Sequence, residues 1–257
     1  IIPQQGNSNP YEYSFDKAGH YTVGVRYETI LELTAKNAVI TESEALAINS
    51  ENEVLQLVGA KGQPQFTHNI DSSMLSAITS HLGADSYRVH NLTFKADNNI
   101  TSKSMEVKLF VVPDDATIDT GRNYALWAKD VTISLLQAGN ITDSQALNAY
   151  TQAFAIDVTG GSVAVPEIGN PQVVEEIKNA TVPTVKTVNY SYHSLTRDSI
   201  VTITANAPEV ISVPHLTFGK HVNNGIPHNI PLESSATIQI KDERPEGSPW
   251  NLSVVAS

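Results

Sequence analysis

The chain has 257 residues, of which 40% are hydrophobic and 17% charged, which is enough apolar material for one to three folded domains. Its net charge of −11 makes it a poor partner for nucleic acid or anionic lipid, and its lack of cysteine excludes disulfides, thiolate metal sites and a cysteine nucleophile. No apolar run approaches the roughly 18 residues of a membrane span.

The chain begins at Ile1 without a basic and then apolar leader, so we expect a mature or trimmed fragment. Apolar and polar residues alternate over residues 19–27 and 30–33, which is typical of half-buried antiparallel strands. We interpret residues 1–34 as the C-terminal strands of a partial unit.

An internal repeat follows. Residues 33–41 read LTAKNAVIT, and residues 126–134 repeat the pattern as LWAKDVTIS. A helix-like stretch comes after each copy, and we expect Ser43 and Asp143 to be N-caps and Gly59 to be a C-terminal stop.

Each repeat then closes with a predicted β-hairpin. The first hairpin has its turn at residues 97–99, and the second has its turn near residues 196–198. The polar, breaker-rich connector over residues 113–121 marks a boundary. The chain therefore divides into two full units, 35–121 and 122–207, each with one short helix.

The tail, residues 208–257, contains four predicted short strands. Trp250 and Leu252 are two residues apart in the last of them, so they point to the same face. They form either the core of a small module or an apolar contact surface, and Asp242 and Arg244 flank the turn before them.

The tail resembles the proximal half of a WxL domain, a family found on the surface of low-GC Gram-positive bacteria. The resemblance covers about a fifth of the chain and is carried by Leu216-Thr217-Phe218-Gly219, Asp242-Glu243-Arg244 and Trp250-Asn251-Leu252. Where that family commonly has glycine, this chain has Pro245 and Pro249, and no second Trp-x-Leu motif follows. The resemblance implies non-covalent attachment to the cell wall. The implied binding residues are Trp250, Leu252, Asp242, Arg244, Leu216, Phe218 and Gly219.

The repeats more loosely resemble the bacterial immunoglobulin-like modules of surface proteins, through residues 19–23 (GHYTV) and 85–89 (DSYRV). This resemblance implies small sandwiches in series. The expected fold class is mainly β, with tandem Ig-like β-sandwich modules, one short helix per repeat and a small C-terminal β module.

The sequence offers little that points to catalysis or metal binding. No Gly-x-Ser-x-Gly elbow is present. We expect the carboxylate pairs Asp114–Asp115 and Glu175–Glu176 to be solvated. Calcium at residues 97–99, or at the Asp114, Asp115 and Asp119 cluster, is the alternative that their oxygen ligands allow. The expectation is no catalytic residue, no metal and no cofactor.

Three aromatic residues have two interpretations each. Tyr190 and Tyr192 share one face of a strand, and they either pack the sandwich core or form a sugar-stacking platform. Trp127 replaces Thr34 of the first repeat, which indicates either a half-exposed position or a contact between domains.

The first hypothesis is a non-enzymatic, extracellular, cell-wall-associated protein. Its stalk carries a tail that attaches to peptidoglycan, to another cell-wall polymer or to a sister surface protein. The alternative is an adhesin or surface-assembly subunit whose repeats bind a host glycan or protein. A fragment of a carbohydrate-active enzyme is the third class.

Overall fold

A computed structural model describes residues 19–20, 30–83, 86–212 and 237–242. Of these residues, 42% lie in strands and 21% in helices, so the predicted mainly-β class is confirmed. None of the helices in the described ranges is long and apolar enough to span a membrane.

The first unit contains a large four-stranded sheet and a small two-stranded sheet. The large sheet has the order β2-β6-β5-β4, with β2 parallel to β6 and the other pairs antiparallel, and the small sheet pairs β1 with β3. The elements are β1 (Glu32–Thr34), β2 (Ala38–Thr41), α1 (Glu42–Leu46), α2 (Glu51–Leu57), β3 (Lys61–Gln63), β4 (Gln65–His68), α3 (Ser72–Ile78), β5 (Arg88–Asp97) and β6 (Ser102–Val112).

The second unit repeats this plan. Its large sheet has the order β12-β13-β14-β9, again with one parallel pair, between β9 and β14, and its small sheet has the order β11-β10-β8-β7. The elements are β7 (Thr117–Ile118), β8 (Tyr124–Trp127), β9 (Val131–Ser134), α4 (Leu135–Gly139), α5 (Ser144–Thr151), β10 (Phe154–Asp157), β11 (Ser162–Ala164), β12 (Glu167–Ile168), α6 (Gln172–Lys178), β13 (Thr184–Tyr192) and β14 (Leu195–Thr204).

Matching capping boxes begin α1 and α4. Thr41 accepts a hydrogen bond from the backbone N–H of Glu44, whose carboxylate accepts one from the Thr41 N–H, and Ser134 and Gln137 make the same pair of bonds. Reciprocal capping satisfies two backbone donors that a helix start leaves open. It stabilises these five-residue helices, which are too short to persist alone.

The helices differ from the prediction in number and in one cap. Each unit has three short helices where one was expected, because helices of five to eight residues are too short to show a clear 3.6-residue period. Ser43 lies inside α1, and Thr41 is the N-cap. Asp143 is confirmed as the N-cap of α5, and Gly59, at φ +60°, follows the last residues of α2 as predicted.

Both predicted hairpins form, β5 with β6 and β13 with β14. The second turn lies at His193 and Ser194 and not at residues 196–198, because β14 already begins at Leu195. His193 takes the left-handed φ of +51° that a tight turn of this kind requires.

Backbone pairing assigns two strands that the predicted boundaries separate from their partners. β1 ends at Thr34, before the predicted boundary, and pairs with β3, which lies after it. β7 lies before the predicted boundary at residue 122 and pairs with β8, which lies after it. A repeat in the sequence does not show such pairing, since it shows which segments are alike and not which strands are hydrogen-bonded.

Each unit buries its own core between its large sheet, its small sheet and its helices. Leu92, Phe94 and Leu109 represent the first core, and Val188, Tyr190 and Val201 the second. Beyond the second unit, β15 (Glu209–Ser212) pairs with β16 (Gln239–Lys241) in an antiparallel hairpin.

Candidate functional site

The predicted wall-binding site falls almost wholly outside the described residues. Asp242 directly follows β16 and is exposed. The other six predicted site residues, Trp250, Leu252, Arg244, Leu216, Phe218 and Gly219, lie outside the described ranges, as does most of the predicted partial unit 1–34. The wall-binding site therefore stays a prediction.

The most developed arrangement among the described residues is a joint between the two units. The small sheet of the second unit packs on the large sheet of the first, on the face turned away from that unit's own core. We call this the outer face. The shared core has eight buried residues, Val39, Phe110, Val112, Ala125, Trp127, Phe154, Ile156 and Val158.

Trp127 anchors the joint. Only 9% of it is exposed, and its ring lies 5.7 Å from that of Phe154. Its indole N–H donates to the carboxylate of Asp115 at 2.7 Å. Burying an indole with its N–H satisfied is highly favourable. Of the two interpretations of Trp127, the inter-domain contact is therefore the one that the structure shows.

The connector is fixed by side chains from both units. Arg197 of β14 donates to the carboxylate and to the carbonyl oxygen of Asp115, and its Nε donates to the carbonyl of Ala128 at 3.2 Å. A guanidinium that bonds a carboxylate and two carbonyls holds its partners in a defined geometry.

Asp114 is fixed on the opposite side of the connector. Its two carboxylate oxygens accept from the backbone N–H of Ser43 at 2.7 Å and from the Ser43 hydroxyl at 2.5 Å. These bonds hold the pKa of Asp114 below its ordinary value, because they favour the ionised carboxylate. Asp114 and Asp115 are exposed as expected, but each also has a defined structural partner.

A second ion pair crosses the joint. Arg122, just ahead of β8, donates to both carboxylate oxygens of Glu44 and to the carbonyl of Val39. The hydrogen bond from Arg122 lowers the pKa of Glu44, and the pKa of Arg122 is raised in return. Glu44 thus closes the cap of α1 and contacts the second unit as well.

Asn37 shows how the first repeat is adapted to a neighbour. Its Oδ1 accepts from the backbone N–H of Lys108 at 2.8 Å, and its Nδ2 donates to the carbonyl of Val158 in the second unit at 2.8 Å. Its counterpart Asp130 accepts from the N–H of Ile200 at 2.7 Å in the same way, but a carboxylate has no amide group to donate.

A cleft of about 730 Å³ opens beside the joint and is lined partly by Asn37, Glu44 and Arg122. Each of these three side chains forms a hydrogen bond between the two units, so the cleft follows from the way the units meet.

The candidate calcium oxygens have protein partners. Asp97 accepts from the N–H of Asn99 and pairs with Lys95, while Asp119 accepts from the N–H groups of Gly121 and Tyr124. Within the described ranges, no three His, Asp or Glu side chains converge as metal ligands would.

The two tyrosines of β13 differ in role. Tyr190 is fully buried in the second core, and its hydroxyl lies 2.6 Å from that of Thr151, so core packing is the correct interpretation for this residue. Burial raises the pKa of Tyr190 to about 12.

Tyr192 is half-buried in a small aromatic group at one end of the unit. The ring of His193 stacks on Tyr124 at 4.2 Å and meets Tyr192 edge-on at 4.6 Å. No sequence pattern connects these residues, because Tyr124 and His193 meet only through the folding of β8 against the turn after β13.

The repeated fold and the buried joint define a tandem two-unit β protein. The sequence matches no protein-family model, and no curated protein matches it.

Proposed function

We propose that this chain is a non-enzymatic bacterial cell-surface protein. Its two units form a stalk, and its tail attaches it non-covalently to peptidoglycan, to another cell-wall polymer or to a sister surface protein. The proposal places the chain outside the cell, at the wall.

The observation that carries the proposal is the joint. A spacer must keep a set distance and direction between its ends, and units joined by a flexible linker do not. Here the connector is bonded through Asp114 and Asp115, Arg122 of the second unit pairs with Glu44 of the first, and the units share a buried core. These contacts oppose bending between the units, as a load-carrying stalk requires.

The site chemistry is consistent with this role. The carboxylates of Glu44, Asp114 and Asp115 stabilise the joint and are not paired across an open cleft, as glycoside hydrolysis would require. The attachment itself rests on the WxL-like residues of the tail, chiefly Trp250 and Leu252.

Co-sedimentation with purified Gram-positive cell walls tests the attachment. We expect the full chain to pellet with the walls and Trp250→Ala to pellet less. Ile100→Ala is the matched control, because Ile100 is an exposed apolar residue in a turn of the first unit. Equal pelleting of Trp250→Ala and the parent would overturn the role of Trp250, provided that near-UV circular dichroism shows both to be folded.

The adhesin hypothesis has one observation in its favour, the surface aromatic group of Tyr124, Tyr192 and His193. Aromatic faces at a surface can stack on sugar rings. Binding of the full chain to a glycan array, abolished by Tyr192→Ala, would support the adhesin. Binding that survives this substitution would place the glycan site elsewhere.

A further inference from the structure

The outer face of the second unit's large sheet has no counterpart of the joint among the described residues. Two apolar side chains stand exposed on it, Val185 at 59% and Ile200 at 44%. Strand register places Thr132, Thr202 and Thr204 at the positions of the buried Val39, Phe110 and Val112 of the first unit. This end of the face is β-branched and partly apolar, in contrast to the charged surface typical of a face that remains in water. Asp198 lies beyond Ile200 on the same face of β14.

The chain leaves both large sheets in the same way. Two residues after β6, Asp114 accepts a hydrogen bond from the backbone N–H of Ser43 at 2.7 Å. Two residues after β14, Asn206 accepts one from the backbone N–H of Leu136 at 2.8 Å. Ser43 and Leu136 are the second helical residues of α1 and α4. The structural repeat thus extends past β6 and β14 into the segments that follow these strands.

The next strand also keeps its place. β7 begins five residues after the end of β6, and β15 begins five residues after the end of β14. Both pair antiparallel with the next strand that the structure describes, Ile118 opposite Ala125 and Val210 opposite Ile240. Residues 119–123 connect the first pair, whereas the longer segment 213–238 separates the second. β15 and β16 are therefore the equivalents of β7 and β8, the two strands that begin the small sheet packed on the first unit.

We propose that the β15–β16 hairpin docks on the outer face of the second unit, as β7 and β8 dock on the first. Val210 is 49% exposed and Ile240 is half-buried, and their side chains would meet Val185, Ile200 and the threonine methyl groups. The tail would then continue the stack as the start of a third unit. This inference does not depend on attachment to the wall.

The short segment between β14 and β15 favours the β15–β16 hairpin, over a segment from elsewhere, as the structure that covers the outer face. Residues 205–208 separate β14 from β15, and four residues span at most about 14 Å. The hairpin is thus held close to the end of β14, and Asn206 fixes the direction in which the connector leaves it. Threonines in place of valine and phenylalanine make this joint less apolar than the first, and thus easier to open.

Thiol labelling of the full chain tests the proposal cleanly, because the chain has no cysteine. The reporter is Ile200→Cys, and the matched control is Val163→Cys, an exposed strand residue of β11 that is 38% exposed. With a neutral maleimide, we expect the reporter to react at least about tenfold more slowly than the control, since a docked hairpin must open first. Val185→Cys is a second reporter on the same face should Ile200→Cys unfold the chain.

A second substitution identifies what covers the face. Val210→Asp, which puts a charge on the hairpin, should bring the reporter's rate up to that of the control, while Ile100→Asp in the first unit should leave it slow. Equal rates for reporter and control would overturn the proposal. So would a slow reporter that Val210→Asp does not accelerate. A rate that slows further with protein concentration would then assign the face to a second copy of the chain.

Discussion

The indole N–H of Trp127 donates to the Asp115 carboxylate at 2.7 Å, and this bond joins the connector to the core that the two units share. Thr34 holds the same place in the first unit, where β1 and β3 carry polar side chains at Glu32, Lys61 and Gln63. The small sheet that joins the two units is therefore apolar at several positions, Trp127 among them, where the described small sheet of the first unit is polar.

Replacing Trp127 with alanine should destabilise the protein more than any surface change. We expect a loss of about 3–5 kcal/mol in the free energy of unfolding, because a large buried ring is deleted and the joint is left with a cavity. Urea denaturation followed by far-UV circular dichroism measures this loss. Leu136→Ala is the control, and its loss should stay within about 0.5 kcal/mol because Leu136 is mostly exposed. Similar losses in the two variants would contradict a structural role for Trp127.

Asn37 and Asp130 offer a matched exchange. Asn37→Asp keeps the oxygen that accepts from Lys108 but removes the donor to Val158 and sets a carboxylate against that carbonyl. We expect it to cost about 1–3 kcal/mol of stability.

The reciprocal change, Asp130→Asn, keeps its bond to the N–H of Ile200 and should cost under about 0.5 kcal/mol. Chemical denaturation of both variants provides the comparison. If the two changes cost the same, Asn37 does not act through the joint.

Tyr190→Phe should cost about 0.5–1.5 kcal/mol at neutral pH, because it removes the buried hydrogen bond of 2.6 Å between the hydroxyls of Tyr190 and Thr151. The change should also alter the response to alkali. Burial raises the pKa of Tyr190 from 10.0 to about 12, so the unfolded chain releases its proton first and stability falls as the pH rises between these values.

Thermal unfolding from pH 8 to 11 measures both effects on Tyr190. Tyr190→Phe should lose this component of the alkaline decline. Thr151→Val, combined with Tyr190→Phe in a double-mutant cycle, should show a coupling between the two residues. Purely additive losses would show that the hydroxyl–hydroxyl contact contributes nothing.

Because of the buried His90, we expect the free energy of unfolding to decrease at acid pH. It lies buried in β5, and its Nε2 has no hydrogen-bond partner among the residues that the structure describes. Burial, followed by the charge of Arg88, lowers the pKa of His90 from its ordinary value of 6.5. The unfolded chain therefore binds a proton that the native state resists, so stability falls as the pH drops through 6.5 and levels off below the native pKa.

The variant His90→Leu should flatten this acid slope, as measured by urea midpoints from pH 8 to 5. His90→Gln, which is polar but does not titrate, should flatten it as well. A slope unchanged in both variants would assign the acid response to other groups.

Much of each unit could be predicted from sequence, because its signals are local. The alternation in β5, β6, β13 and β14 predicted both hairpins, and the shared pattern of residues 33–41 and 126–134 predicted that the two units repeat. Asp143 and Gly59 mark helix ends through bonds or dihedral angles within a few residues. The short helices were not predicted one by one, since one or two turns give too little periodicity in the sequence.

The sequence contains one sign of the joint, but the alternation of apolar and polar residues does not identify it. Residues 109–112 read Leu-Phe-Val-Val and are buried on both faces, whereas residues 201–204 read Val-Thr-Ile-Thr and alternate. A continuous apolar run is typical of a strand covered on two sides. It does not say what covers the second side, and the WxL-like residues of the tail remain a prediction of the sequence alone.

The sequence by itself determined the mainly-β class, the repeat, the two hairpins and the helix ends at Asp143 and Gly59, because each depends on neighbours a few positions away. Only the tertiary structure decided that the two units share a core and that the acidic connector is bonded into it. The bond from Asn37 to Val158 joins residues 121 positions apart. Burial and pairing at such a separation depend on how whole sheets meet, and no local pattern encodes that.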